Sequence, residues 1–257
     1  MKFRILLIIF IFLCFPSQGF SQEWKTHQGR HFIVYYKQAP QDFVKNVEQM
    51  AESYYDEISD NFRFTRDKAW SQDERAKIYI YNDANDYVKN AKQAHWSHGA
   101  ASPHDKTIRT FPAAHGFFDS TLPHELGHII FHECVGFKSN VPNWFEEGVA
   151  MYQEKAKRWG AHHAVKKALE NKSFKSLAEL SSTTLYSNSD PKLVEIFYAE
   201  SASVVYFMIS EFGNYRFFNL CHKLEEGMPF NKALEAAYGR FKNVDELNRA
   251  WVKYLKE

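Results

Sequence analysis

The first part of the chain combines two kinds of hydrophobic pattern. Residues 31–37 are β-branched and aromatic, and residues 77–81 alternate apolar with polar positions, so both segments are predicted strands. Between them, residues 41–62 carry apolar side chains at spacings of three and four, which predicts an amphipathic helix. Residues 83–94 predict a short helix, and residues 107–111 predict either one strand of a hairpin or an edge strand.

Beyond Ser120 the pattern becomes helical and stays so to the end of the chain. Several of the apolar repeats are followed by a glycine, where a helix would end. Strands with helices followed by helices alone predict an α+β fold, with a small N-terminal mixed sheet and a mostly helical second half. The predicted helices span residues 120–136, 143–158, 161–170, 193–212, 215–226, 230–238 and 244–256.

The N-terminus has the layout of a signal peptide. Lys2 and Arg4 precede an unbroken apolar run over residues 5–15, which Pro16 ends. This run is shorter than the roughly 20 apolar residues that a membrane-spanning helix needs. Cleavage after Ser21 would export the protein to the periplasm or the medium, and an uncleaved N-terminal anchor is the alternative.

Removal of residues 1–21 would leave a chain with nearly balanced charge. The 32 basic residues of the full chain fall to 30, against 31 acidic residues, so the net charge becomes −1. This balance predicts no nucleic-acid partner, and we expect no stable membrane span after removal of the leader. A single domain over residues 22–257 is predicted, with an α/β part at 22–115 and a helical part at 116–257. Its two cysteines allow one disulfide or two reduced thiols.

A metal-binding pattern lies in the first helix of the second half. Residues 124–128 read HELGH, which places His124 and His128 one turn apart on the same face. Two imidazoles at this spacing can bind one zinc ion at distances of about 2.0–2.1 Å. Glu125 lies beside them and can reach a water on the metal rather than the metal itself.

A zinc site that stays open to substrate needs a third protein ligand. His132 is about 12 Å along the helix axis from the first histidine, which is too far for one ion. Cys134 stands where a metzincin would carry its third histidine. Glu146 and Glu147 remain, in the segment PNWFEEGVA, on a second helix that a short turn would bring back over the histidines. Spacing alone leaves the choice between these two glutamates open.

These motifs resemble those of a known family. HELGH, followed after eighteen residues by Glu147 in WFEEGVA, is similar to the zinc motif of the gluzincin metallopeptidases. The segments HFIVYY, KIYIY and FYAESASVVYFMISEFG extend a likeness to compact bacterial peptidase MA-like domains over nearly the whole mature chain. The resemblance implies a thermolysin-like catalytic core and one zinc ion held by His124, His128 and Glu147.

The resemblance also implies an activity, the hydrolysis of peptide bonds in a peptide or protein substrate. A zinc-activated water would attack the carbonyl with Glu125 as general base. By resemblance, Tyr198 would stabilise the oxyanion; ordinary packing is the alternative for this residue, and Tyr152 and Tyr206 are weaker candidates. The strand at 107–111 would border the cleft. A zinc-containing binding protein of the same fold, without hydrolysis, is the alternative function.

The remaining histidines form two groups. A first group lies around the predicted hairpin and is expected to consist of exposed loop residues: His95, His98, His104 and His115. His162 and His163 are expected on the solvated face of a helix.

Overall fold

A five-stranded mixed sheet forms the first half of the protein in the computed structural model, which describes residues 23–62, 70–92, 98–112, 116–137, 140–154, 158–186 and 188–257. The strand order is β1-β2-β3-β5-β4 within these residues. The three inner strands are parallel, and each outer strand is antiparallel to its neighbour. The strands are β1 Lys25–Gln28, β2 Phe32–Tyr36, β3 Ala76–Ile80, β4 Gly99–Ser102 and β5 Thr107–Thr110.

One face of the sheet forms the core of this half. Val34, Ile78 and Ile108 are aligned across the inner strands and are fully buried, whereas Tyr35 and Tyr79 on the other face are partly exposed. This alternation follows from the two-residue period of a strand. The amphipathic first helix covers the buried face and also packs against the helix that carries HELGH.

Ten helices are present in the described residues. The α+β prediction is therefore confirmed, with the sheet first and the helices dominating afterwards. Their bounds are α1 Gln41–Asn61, α2 Ala84–Ala91, α3 Leu122–Val135, α4 Asn143–Tyr152, α5 Arg158–Glu170, α6 Leu177–Ser182, α7 Pro191–Phe212, α8 Asn214–Glu225, α9 Phe230–Tyr238 and α10 Val244–Lys256. A π-helical turn, Phe117–Thr121, leads into α3.

Of the two alternatives for residues 107–111, the structure shows the strand of a hairpin: β5 pairs antiparallel with β4, which itself forms the edge of the described sheet. Other expectations need correction. The helix expected over 143–158 ends at Tyr152. His162 does not lie on a solvated face: its Nδ1 is 2.6 Å from Ser203 Oγ on α7, and only His163 is exposed. The predicted signal peptide lies outside the described residues.

Helix α7 is central to the second half and packs against α4, α5 and α8. In the described part of the chain it is the one helix long and apolar enough to cross a membrane by length and composition, yet more than half of its apolar window is buried inside the protein. Nearby on α8, the thiol of Cys221 is buried, and no disulfide joins it to Cys134.

Glu200 is a fully buried carboxylic acid on α7. Its Oε1 accepts a hydrogen bond of 2.8 Å from the backbone N–H of Lys175, whereas Oε2 is buried with no hydrogen-bond partner among the described residues. Burial raises the pKa of Glu200 to about 8, and the N–H of Lys175 opposes this shift. The folded protein therefore holds a proton that the unfolded chain loses near pH 4.5.

We expect this proton to make the free energy of unfolding depend on pH. Stability should fall as pH rises from about 4.5 to about 8, by at most roughly 1.4 kcal/mol per pH unit, because folding must take up the proton over this window. Glu200→Gln keeps the acceptor for Lys175 and should flatten the profile in urea titrations. Glu195→Gln, exposed on the same helix, should leave the profile unchanged. Parallel profiles for wild type and Glu200→Gln would contradict the assignment.

Candidate metal centre

Three side chains from α3 and α4 converge at one point. The Nε2 atoms of His124 and His128 are 3.1 Å apart, and each lies 3.5 Å from Oε2 of Glu147. Among the described residues, these three form the one group of His, Cys, Asp or Glu side chains close enough to share a metal ion. The sequence prediction named the same three residues, and their role as ligands stays a prediction.

The dimensions and chemistry of this triangle fit zinc. Ligand atoms placed tetrahedrally at 2.0–2.1 Å from an ion are about 3.3 Å from one another, close to the three observed distances. Two imidazole nitrogens and one carboxylate oxygen are a usual donor set for a catalytic zinc ion. Oε2 of Glu147 is also buried with no hydrogen-bond partner in the described structure, a costly state for a carboxylate unless it binds a cation.

The triangle depends on α4 running back along α3. Residues late in α3 pair with residues early in α4, as His132 does with Glu146, whereas His124 pairs with Glu154 just beyond the end of α4. Gly127 permits the close approach, because a Cβ at this position would lie 3.1 Å from the Cα of Ala150. The antiparallel arrangement expected from the short connection is therefore present.

Glu154 is a buried partner of the site that the sequence analysis missed. Its Oε1 lies 2.9 Å from Nδ1 of His124, and its Oε2 accepts a hydrogen bond from the hydroxyl of Ser120. Burial lowers the pKa of His124, but the neighbouring carboxylates of Glu147 and Glu154 outweigh burial and raise it to about 9. A signal did exist, since Glu154 follows Glu147 by two helical turns and so falls on the same face.

Glu146 lies beside the triangle rather than within it. Its Oε1 is 2.7 Å from Nε2 of His132 and 3.3 Å from Nδ1 of His128. Burial raises the pKa of Glu146, but the interactions with His128 and His132 outweigh burial and lower it to about 2. Spacing alone left the choice between Glu146 and Glu147 open. In the structure Glu146 lies beside Nδ1 of His128, whereas Glu147 faces Nε2 of both His124 and His128.

Glu125 is buried between α3 and the edge strand β4. The backbone N–H of Ala101 donates a hydrogen bond to its carboxylate, and a Cβ at Gly99 would lie 3.2 Å from Oε1. Burial raises the pKa of Glu125, against the opposing charges of His124 and His128. A carboxylate with a raised pKa beside a metal site has the properties of a general base.

Tyr198 on α7 also borders the triangle. Its ring centroid is 6.4 Å from that of His124. Burial, followed by the charges of Glu147 and Glu125, holds its pKa well above the ordinary value, so the hydroxyl stays protonated and can donate a hydrogen bond. Tyr206 instead packs against the ring of His162, at a centroid distance of 4.9 Å.

The histidines near the hairpin are less closely associated with the triangle. His104 is exposed on the turn between β4 and β5, and its ring meets that of Phe137 at 5.5 Å. The backbone oxygen of His98 accepts a hydrogen bond from Thr110. The other two histidines of this group, His95 and His115, lie outside the described residues.

Comparison with known proteins identifies the family of the chain. The profile of the peptidase MA superfamily matches residues 61–257, which include three strands of the sheet and all the helices from α2 onward. The chain belongs to the peptidase MA superfamily, and it is accordingly a zinc metallopeptidase-like protein. A search of curated proteins finds no match.

Proposed function

We propose that the chain is an exported zinc-dependent metallopeptidase of the gluzincin type. His124, His128 and Glu147 would hold one zinc ion, Glu125 would act as general base, and Tyr198 would stabilise the oxyanion. The observation that carries the proposal is the triangle of ligand atoms with sides of 3.1, 3.5 and 3.5 Å. A bound zinc ion would supply a Lewis acid that polarises the carbonyl and lowers the pKa of water.

Protein side chains account for the proton transfers. Glu125 takes the proton of the attacking water and delivers it to the leaving amine, which requires a carboxylate whose pKa lies above the usual range. Burial of Glu125 supports this assignment. The hydroxyl of Tyr198 donates to the carbonyl oxygen as negative charge develops on it, a role supported by the raised pKa of this phenol.

The position of β4 supports an extended peptide as substrate. An edge strand can bind a peptide by main-chain hydrogen bonds, as an added strand of the sheet. β4 packs against α3, and its Ala101 N–H is hydrogen-bonded to Glu125. A peptide added alongside β4 would therefore run past the general base. In this proposal β4 borders the substrate cleft, a position that the sequence had suggested for residues 107–111.

Export rests on the leader pattern of residues 1–21. We expect the protein recovered from the periplasm or the medium of a producing cell to begin at Gln22, as read by N-terminal sequencing. A mature protein that retains Met1 in the membrane fraction would indicate an uncleaved anchor instead.

Zinc content and peptide hydrolysis test the proposal together. The purified protein should contain about one zinc per chain, cleave members of a mixed peptide library, lose this activity on chelation and regain it with added zinc. His124→Ala should hold less than about a tenth of an equivalent of zinc and be inactive, because it removes one of three ligands. His163→Ala, an exposed histidine on α5, is the matched control and should behave as wild type.

The zinc and activity measurements distinguish a peptidase from a non-hydrolytic zinc protein and from a protein without a metal site. A wild-type protein without zinc would rule out the metal site. Zinc bound in wild type but absent from His124→Ala, with no turnover of any peptide, would favour the non-hydrolytic binding protein.

A further inference from the structure

The ring of His128 has two nitrogens in different surroundings. Nε2 belongs to the triangle with His124 and Glu147. Nδ1 faces the other way and lies 3.3 Å from Oε1 of Glu146. For Nε2 to offer a lone pair to a metal, the neutral ring must carry its proton on Nδ1. Nδ1 is buried and forms no hydrogen bond among the described residues, which leaves the nearby carboxylate of Glu146 as a candidate acceptor for that proton.

Glu146 is in turn held by a second histidine. The same Oε1 lies 2.7 Å from Nε2 of His132, and a carboxylate has enough lone-pair positions to accept both N–H groups. The ring of His132 is stacked on Phe137 with an interplanar angle of 3° and a centroid distance of 5.5 Å, and it meets Phe131 edge-on. These contacts fix the direction of its Nε2–H.

We propose that Glu146 and His132 are positioning residues for the metal centre, in a relay that runs from His132 through Glu146 to His128. This inference rests on the proposed zinc site. Glu146 fixes the tautomer and ring angle of His128, and His132 keeps Glu146 from turning into solvent, to which about a quarter of its side chain is exposed. His132, which is too far along α3 to reach the ion itself, would thus act on it through the carboxylate of Glu146.

A positioning role, unlike ordinary packing, is expected to change the affinity of the site for zinc. Partners of ligating histidines typically change metal affinity by about 10–100-fold when they are removed. Glu133 is a matched control, because it lies next to His132 on α3 with similar side-chain exposure and pairs with Lys106 instead, at 3.2 Å.

Competition with a chelator on the full mature chain measures the zinc dissociation constant of each variant. Glu146→Ala should weaken zinc binding about 10–100-fold, and Glu146→Gln, which keeps an acceptor oxygen, less than about tenfold. His132→Phe keeps the aromatic contacts and removes the donor, so we expect a loss of about three- to tenfold. Glu133→Gln should bind zinc as wild type does.

A double-mutant cycle tests whether the two residues act in series. In the Glu146→Ala background, His132→Phe should change zinc affinity by less than about twofold, because the residue through which it acts is gone. Equal losses from His132→Phe in both backgrounds would overturn the relay, and so would wild-type affinity in Glu146→Ala. If the alanine variant does not fold, the same cycle is run with Glu146→Leu, judged by the same criterion. A wild-type protein that binds no zinc would contradict the proposed function itself, independently of any role of Glu146 and His132.

Discussion

Replacing Glu125 with glutamine is expected to lower the rate of peptide hydrolysis by about 10²–10⁴-fold while zinc binding is retained. Glutamine preserves the size of the side chain and an acceptor for the Ala101 N–H, but it cannot take a proton from water. Zinc content should not change, because Glu125 is not part of the triangle formed by His124, His128 and Glu147. The measurement is kcat/KM on a cleaved peptide together with zinc per chain.

The glutamate eight residues further along α3 controls for loss of a carboxylate from this helix. Glu133→Gln removes an ion pair with Lys106 and should leave kcat/KM within about twofold of wild type, because Glu133 is not part of the triangle formed by His124, His128 and Glu147. A Glu125→Gln protein that keeps its zinc and retains more than about a tenth of wild-type activity would refute the general-base role.

The three candidate ligands could be brought together from the sequence because their geometry is mostly local. His124 and His128 are one helical turn apart on α3. The connection to α4 is short, which favours an α4 that runs back along α3. Elimination reduced the third ligand to two adjacent glutamates. Spacing alone could not separate them, because one residue changes the face of the helix by about 100°. The family resemblance favoured Glu147, and it is the side chain of Glu147 that joins the two histidines in the structure.

Features that depend on distant contacts were predicted poorly. β4 is a run of glycine, alanine and serine without β-branched residues, so its sequence carries no strand signal, and its pairing with β5 places it at the edge. β1 is polar throughout, so its sequence carries no strand signal either, although it pairs with β2. His162 looked solvated because its partner, Ser203, is 41 residues away on α7.

Close packing of helices around α4 explains another part of the motif, the glycine that follows Glu147. A Cβ at Gly148 would lie 2.3 Å from the backbone oxygen of Ser201 and 2.6 Å from Cγ2 of Val205, both on α7. Real Cβ atoms do not approach backbone oxygens this closely, so α4 and α7 would have to separate. This glycine thus permits the contact that holds α4, and with it Glu147, against the centre of the helical half.

Gly148→Ala is therefore expected to lower the free energy of unfolding by about 3 kcal/mol or more, because the overpacking meets backbone rather than a flexible side chain. This outweighs the roughly 1 kcal/mol that alanine gains over glycine within a helix. Zinc affinity should fall as well, since separating α4 from α7 displaces Glu147. Urea unfolding of chelator-treated and zinc-loaded protein measures both effects.

Gly160 provides the matched test of this reasoning, because it is a helical glycine with nothing within 4 Å of a built Cβ. Gly160→Ala should therefore be stabilising by about 0.5–1 kcal/mol through helix propensity and a less flexible unfolded chain. The two alanine substitutions are thus predicted to have opposite signs. If Gly148→Ala is also stabilising, α4 and α7 do not approach as closely as described, and the position of Glu147 would need another explanation.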